Sequence, residues 1–79
     1  MVNALVLFKT KGWVTDEVKE RLQHTSLSNA KQLLCGQIRD EAIVDLAAST
    51  IADLNAALGK LAELTGIESA TIVRLITNA

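Results

Sequence analysis

Ala4-Leu5-Val6-Leu7-Phe8, closed by Lys9-Thr10-Lys11-Gly12, is the stretch on which the fold turns. Successive side chains of a strand point to opposite faces, so a run with no polar alternate expects cover on both sides. Ala4, Val6 and Phe8 make one face and Leu5 and Leu7 the other, while the Lys-Thr-Lys-Gly tetrapeptide reads as a turn. Whatever fold contains this strand must bury it twice.

Downstream the hydrophobic period changes from two to about four. Val14, Val18 and Leu22 recur at helical spacing, Asp16 and Glu17 fall in the first turn, and Thr15 is placed to cap the helix. His24-Thr25-Ser26-Leu27-Ser28-Asn29 is polar and ends that period as a loop. Lys31-Gln32-Leu33-Leu34-Cys35 predicts a strand running into Gly36, and Ala42 to Ala47 a second, with Gly36 to Glu41 as a hairpin connection. Thr50 with Asp53 approximates a capping box, and Ile51, Leu54, Leu58, Leu61 and Leu64 form one apolar stripe before Gly66, placed as a C′ glycine. Ala70 to Ile76 is β-branched and closes the chain as a last strand.

The order is β-α-β-β-α-β over a single domain of residues 1–79. It predicts an α+β, ferredoxin-like βαββαβ sandwich: a four-stranded antiparallel sheet with two helices on one face. The other face has no helix. Alternation in the last strand sets Ile72 with Ile76 on one side and Val73 with Leu75 on the other, so this strand, like the first, is apolar on both sides. A sheet of that kind expects a second subunit over its open face, in a dimeric α/β-barrel-like assembly. Small domains without staples gain only about 3–5 kcal/mol from one core, which favours the same outcome.

Composition removes several function classes. Eight Lys and Arg against nine Asp and Glu leave a net charge of −1, without the basic excess of a phosphate-backbone binder. Phe8 and Trp13 are the only aromatics, too few for a base-stacking sheet, so no nucleic-acid binding is expected. Gly59-Lys60-Leu61 lacks the spacing of a phosphate loop. Cys35 and His24 are each alone in their residue type, which predicts no disulfide, no metal and no cofactor. They could pair as nucleophile and base, although a strand cysteine more commonly acts as a small apolar side chain. Asp40, Glu41 and Asp45 are close in sequence; alternation points Glu41, Ile43 and Asp45 one way and Ala42, Val44 and Leu46 the other, so two acids on the open face could meet Arg74 or an ammonium group, with solvated rim charges as the plainer role. Trp13 either covers a helix end or stacks on a ligand. No apolar run approaches the roughly 20 residues of a membrane span, so a soluble cytoplasmic protein without membrane contact is expected.

Taken in order, several segments resemble the ligand-sensing RAM domain of the Lrp/AsnC regulators, itself similar to the ACT domain. They are Ala4 to Thr10, Asp16-Glu17-Val18, Gly36, Glu41 to Leu46 followed by Asp53-Leu54-Asn55, and Leu64 to Glu68. The resemblance implies dimers that associate into higher oligomers and hold an amino acid or similar effector between them. The chain begins at the first strand, so it would be a stand-alone module without a DNA-binding segment, with full-length Lrp/AsnC regulators as candidate partners. The family's glycine is followed three residues on by an aspartate, whereas Gly36 is followed by Arg39, and the connection is one or two residues longer. Ser69 and Thr71 stand where hydroxyl residues of the family reach the effector.

The candidate ligand-binding set is therefore Gly36, Gln37, Ile38, Asp40, Glu41, Ser69 and Thr71. Backbone donors near Gly36 can receive a carboxylate, Asp40 or Glu41 an ammonium, and an oligomer interface supplies apolar walls. The expectation is a non-enzymatic sensing module with no catalytic residues. The alternatives are a dimeric α/β-barrel enzyme resembling small cofactor-free monooxygenases, which needs polar groups in a helix-facing cleft read here as apolar, and a purely structural oligomerisation module.

Overall fold

The computed structural model describes residues 1–77. The elements run β1 (Val2–Thr10), α1 (Asp16–His24), β2 (Ala30–Ile38), β3 (Glu41–Ala48), α2 (Ile51–Ala62) and β4 (Ile67–Thr77). The strands pair antiparallel in the order β2-β3-β1-β4, an arrangement compatible with a ferredoxin-like fold. No helix among the described residues is long and apolar enough to cross a membrane.

One core holds the two layers together. Val2, Ala4, Val6 and Phe8 of β1 meet Ala42, Val44, Leu46 and Ala48 of β3, under Val18 and Leu22 of α1 and Leu54, Ala57 and Leu61 of α2. Phe8, Leu22, Leu46, Leu54 and Leu61 are the largest fully buried side chains, and burying a side chain of this size contributes about 1.5–3 kcal/mol. Both helices start on threonine caps: Thr15 Oγ1 accepts from the Val18 N–H at 3.2 Å, and Thr50 Oγ1 from the Asp53 N–H at 3.1 Å.

Several boundaries move, each for a local reason. His24 stays in the last turn of α1, where it lies 3.4 Å from Glu20. The stripe expected to reach Leu64 stops at Ala62, because Gly66 at φ 94° turns the chain back and lets Ile67 N–H donate to Leu64 carbonyl. β4 consequently begins at Ile67, and Ser69 and Thr71 lie inside it. The connection expected over Gly36 to Glu41 is a turn at Arg39 and Asp40 only. Gly36, Gln37 and Ile38 continue β2, and the longer loop anticipated there is absent. Arg39 takes φ 53°, the left-handed conformation that tight hairpin turns require.

Bulges change the facing of both edge strands. Leu5 pairs with Arg74 but Val6 with Ile72, so Val73 is an extra residue. Ile72 and Leu75 thus share the helix side with their partners Val6 and Ala4, while Arg74 and Ile76 share the open face with Leu5 and Asn3; the simple alternation expected for this strand is broken. On β2 the shift between Leu34 and Gly36 leaves Cys35 unpaired with β3. The helix side is not wholly apolar either. Thr10 is buried with its hydroxyl bonded to the carbonyls of Gly12 and Asp40, and Gln32 of β2 faces α1.

Candidate functional site

Strand pairing converts the sequence into rows across the open face. Reading from β4 through β1 and β3 to β2, one row is Ser69, Lys9, Glu41, Ile38 and the next is Thr71, Leu7, Ile43, Gly36. Then come Arg74, Leu5, Asp45, Leu33, followed by Ile76, Asn3, Ala47, Lys31. Leu5, Leu7 and Ile43 are half-buried at its centre, whereas Leu33 and Ile38 on the β2 side are 65% and 68% exposed. An apolar band therefore runs from Leu5 and Leu7 through Ile43 to Leu33 and Ile38, with no element among the described residues above it.

Of the candidate ligand residues, Gly36, Ile38, Glu41, Ser69 and Thr71 lie at one end of that face without converging, whereas Gln37 pairs with Ala42 on the helix side and Asp40 is in the turn. Ser69 and Thr71 sit on β4, Gly36 and Ile38 on β2, and three strand spacings of about 4.8 Å separate them by about 14 Å. Within one chain the hydroxyls cannot touch a small molecule held at Gly36. Leu7, Gly36, Gln37, Ile38, Glu41 and Ile43 line a hollow of about 230 Å³ on this face. The hollow combines one carboxylate, apolar walls and the backbone of an edge strand, whose alternate N–H groups face away from the sheet. Its volume is below the roughly 300 Å³ at which small-molecule sites begin, and it opens to solvent where a neighbour would close it.

Asp40 and Glu41, interchangeable from sequence, separate here. Asp40 is in the turn, its carboxylate 4.0 Å from Lys9 Nζ and its carbonyl accepting the Thr10 N–H at 2.8 Å. Glu41 begins β3 and lines the hollow. Asp45, on the same face, accepts a hydrogen bond from Asn3 Nδ2 at 3.4 Å and borders a second hollow of about 260 Å³ with Leu5, Arg74 and Ile76. Arg74 shares the open face with Leu5 through the Val73 bulge, which puts it in one row with Asp45, a partner the sequence suggests for it.

Cys35 and His24 are engaged locally rather than with each other. Cys35 Sγ donates to Leu33 carbonyl at 3.5 Å, and His24 pairs with Glu20. No group of three or more His, Cys, Asp or Glu side chains among the described residues is placed to hold a metal ion. Trp13 does not cover a helix end; it is 75% exposed.

No family model matches the chain, and no curated protein or solved structure matches it at a significant level.

Proposed function

We propose that this protein is a non-enzymatic module that dimerises through the open face of its sheet and takes a small effector of the amino-acid type at the Gly36 to Glu41 end of that face. The observation that carries the reading is the uncovered apolar band, with a hollow at its end lined by Leu7, Gly36, Ile38, Glu41 and Ile43. Glu41 suits the ammonium of an amino acid and the β2 backbone its carboxylate, the two poles of a zwitterion. The second copy would supply the Ser69 and Thr71 hydroxyls.

Three features favour a second copy as the cover. Both edge strands are bulged, at Cys35 and at Glu68 and Val73, and bulged edges resist extension by strand pairing, which leaves the face for association. Four strands about 4.8 Å apart and roughly 30 Å long present about 570 Å² in projection, on the order of the roughly 800 Å² each partner of a standard interface gives up. Arg74 and Asp45 flank Leu5 in one row. A two-fold axis along β1 lays Leu5 over Leu5 of the second copy and carries each Arg74 over the other copy's Asp45, giving the self-complementary charge pattern that an isologous contact needs.

The enzymatic alternative has less support. Phe8, Leu22, Leu46 and Leu61 fill the space between helices and sheet where such an enzyme holds its substrate.

Native mass spectrometry of protein purified from cells reads subunit number and retained ligand together. The expected result is a dimer or a multiple of it, with Leu7→Glu giving monomer because an unpaired carboxylate in the interface is costly. Wild type that is monomeric at micromolar concentration, or amino acids that neither bind below the millimolar range nor alter assembly, would remove the reading.

A further inference from the structure

Away from the open face, the β1–α1 loop and the β2–β3 turn are stitched into one platform. Thr10 N–H donates to Asp40 carbonyl at 2.8 Å, Val14 N–H to Arg39 carbonyl at 2.7 Å, and Lys11 N–H to Gly66 carbonyl at 2.9 Å. The Thr10 hydroxyl ties the carbonyls of Gly12 and Asp40 together from beneath. Trp13, on this pinned loop, is the most exposed large apolar side chain among the described residues. Leaving an indole in water forgoes the burial that usually decides its position, and a rigid loop that does so presents it.

The depression beside the indole carries one cation, Arg39, and one carboxylate, Asp40, with Lys11 in the same loop but outside the lining. Gly12, Trp13, Arg39 and Asp40 line a depression of about 390 Å³, within the size range of small-ligand sites. Lys9 lies 4.0 Å from Asp40 and offsets its charge, while Lys11 and Arg39 have no ion-pair partner among the described residues. The backbone N–H groups of Gly12 and Trp13 are not used in loop or turn hydrogen bonds. Arg39 is held at φ 53° and Gly12 at φ 96°, left-handed positions that the stitching fixes.

We propose that this platform binds a planar aromatic anion of the nucleoside-phosphate class, its ring stacked on Trp13 and its phosphate met by Lys11, Arg39 and the free N–H groups of the loop. An indole offers a π-face to any base, and unpaired cations beside backbone N–H groups are the usual receptors of phosphate. An acidic peptide fits less well, because the N–H groups of Thr10, Lys11 and Val14 that could pair with an extended chain are already used. The site is separate from assembly through the open face, and either can fail without the other.

Trp13 is the only tryptophan, so its fluorescence reports the site directly. Titration with AMP and GMP should quench it saturably, with calorimetry on the same samples as a second readout. Adenosine, which lacks the phosphate, and inorganic phosphate, which lacks the ring, should each bind about tenfold more weakly or worse. Lys11→Gln with Arg39→Asn should lose at least about tenfold in affinity, asparagine being chosen because it tolerates the left-handed backbone. Trp13→Ala should lose binding by calorimetry and Trp13→Phe keep most of it. Neither nucleotide binding at about 1 mM, adenosine binding as well as AMP, or the double variant binding like wild type would overturn the proposal. Quenching that follows protein concentration instead of ligand, the signature of self-association through Trp13, would overturn it as well.

Discussion

Gln32 on β2 donates its side-chain amide to the carbonyl of Leu22 at 3.0 Å, and to that of Thr25 at 2.8 Å, so a strand side chain closes the C-terminal end of α1. The last carbonyls of a helix have no partner within it, and at a half-buried end they must find one elsewhere. Gln32→Ala and the bulkier Gln32→Leu should each cost about 1–3 kcal/mol, the desolvation penalty of acceptors left unmatched. Urea unfolding should show a lower midpoint with unchanged slope in both variants. A midpoint equal to wild type in either would mean that water replaces the amide at no cost.

Two glycines should respond to alanine with opposite signs. Gly66 sits at φ 94°, and a Cβ there would lie 3.2 Å from Val18 Cγ2, a core atom. Gly66→Ala therefore meets both an unfavourable backbone and a crowded neighbour, and should lose about 1–2 kcal/mol or more. Gly59 is exposed within α2 and has nothing within 4 Å of an added Cβ. Gly59→Ala should gain about 0.8–1 kcal/mol from helix propensity alone. Thermal unfolding of the two variants side by side checks the signs, and a destabilised Gly59→Ala would place that helix face in a contact.

The charge pattern of the open face gives a test of the dimer that a simple disruption does not. Asp45→Arg alone should set like charges against each other across the two-fold and weaken association, as should Arg74→Asp. The double variant Asp45→Arg with Arg74→Asp restores opposite charges in exchanged positions and should recover the dimer. Light scattering or sedimentation of the three variants decides the matter. Recovery would be specific to the proposed pairing, whereas a double variant that dissociates further than either single would exclude the two-fold along β1.

Much of the fold was legible because its decisive signals are local. Thr15 and Thr50 were readable as caps, and the alternation of Glu41, Ile43 and Asp45 against Ala42, Val44 and Leu46 gave the facing of β3. Val73 and Cys35 were not readable as bulges, since a bulge depends on the partner strand and a β-branched run looks the same with or without one. That single residue moves Arg74 onto the open face beside Leu5, so the charge pattern depends on pairing rather than on composition. The candidate ligand residues show the same limit. Gly36 and Ile38 reach the open face only through the Cys35 bulge, and the strand order puts β1 and β3 between them and Ser69 and Thr71.

Gly36 offers a way to separate binding from folding. Its backbone is not left-handed, and a Cβ placed on it meets nothing within 4 Å, so a side chain there costs the fold little. Valine suits an exposed strand position better than glycine, and Gly36→Val should hold or raise the melting temperature. The same side chain would project into the hollow beside Leu7 and Glu41 and take the space of an effector. Glu41→Gln should weaken an amino acid by about 1.5–3 kcal/mol through loss of the charged hydrogen bond, while Asp40→Asn, whose carboxylate is turned to Lys9, should leave affinity nearly unchanged. Calorimetry of the three variants against whichever amino acid binds wild type measures all of this at once. Equal losses at Asp40 and Glu41 would mean that the turn, not the hollow, holds the ammonium, and undiminished binding to Gly36→Val would place the effector elsewhere on the protein.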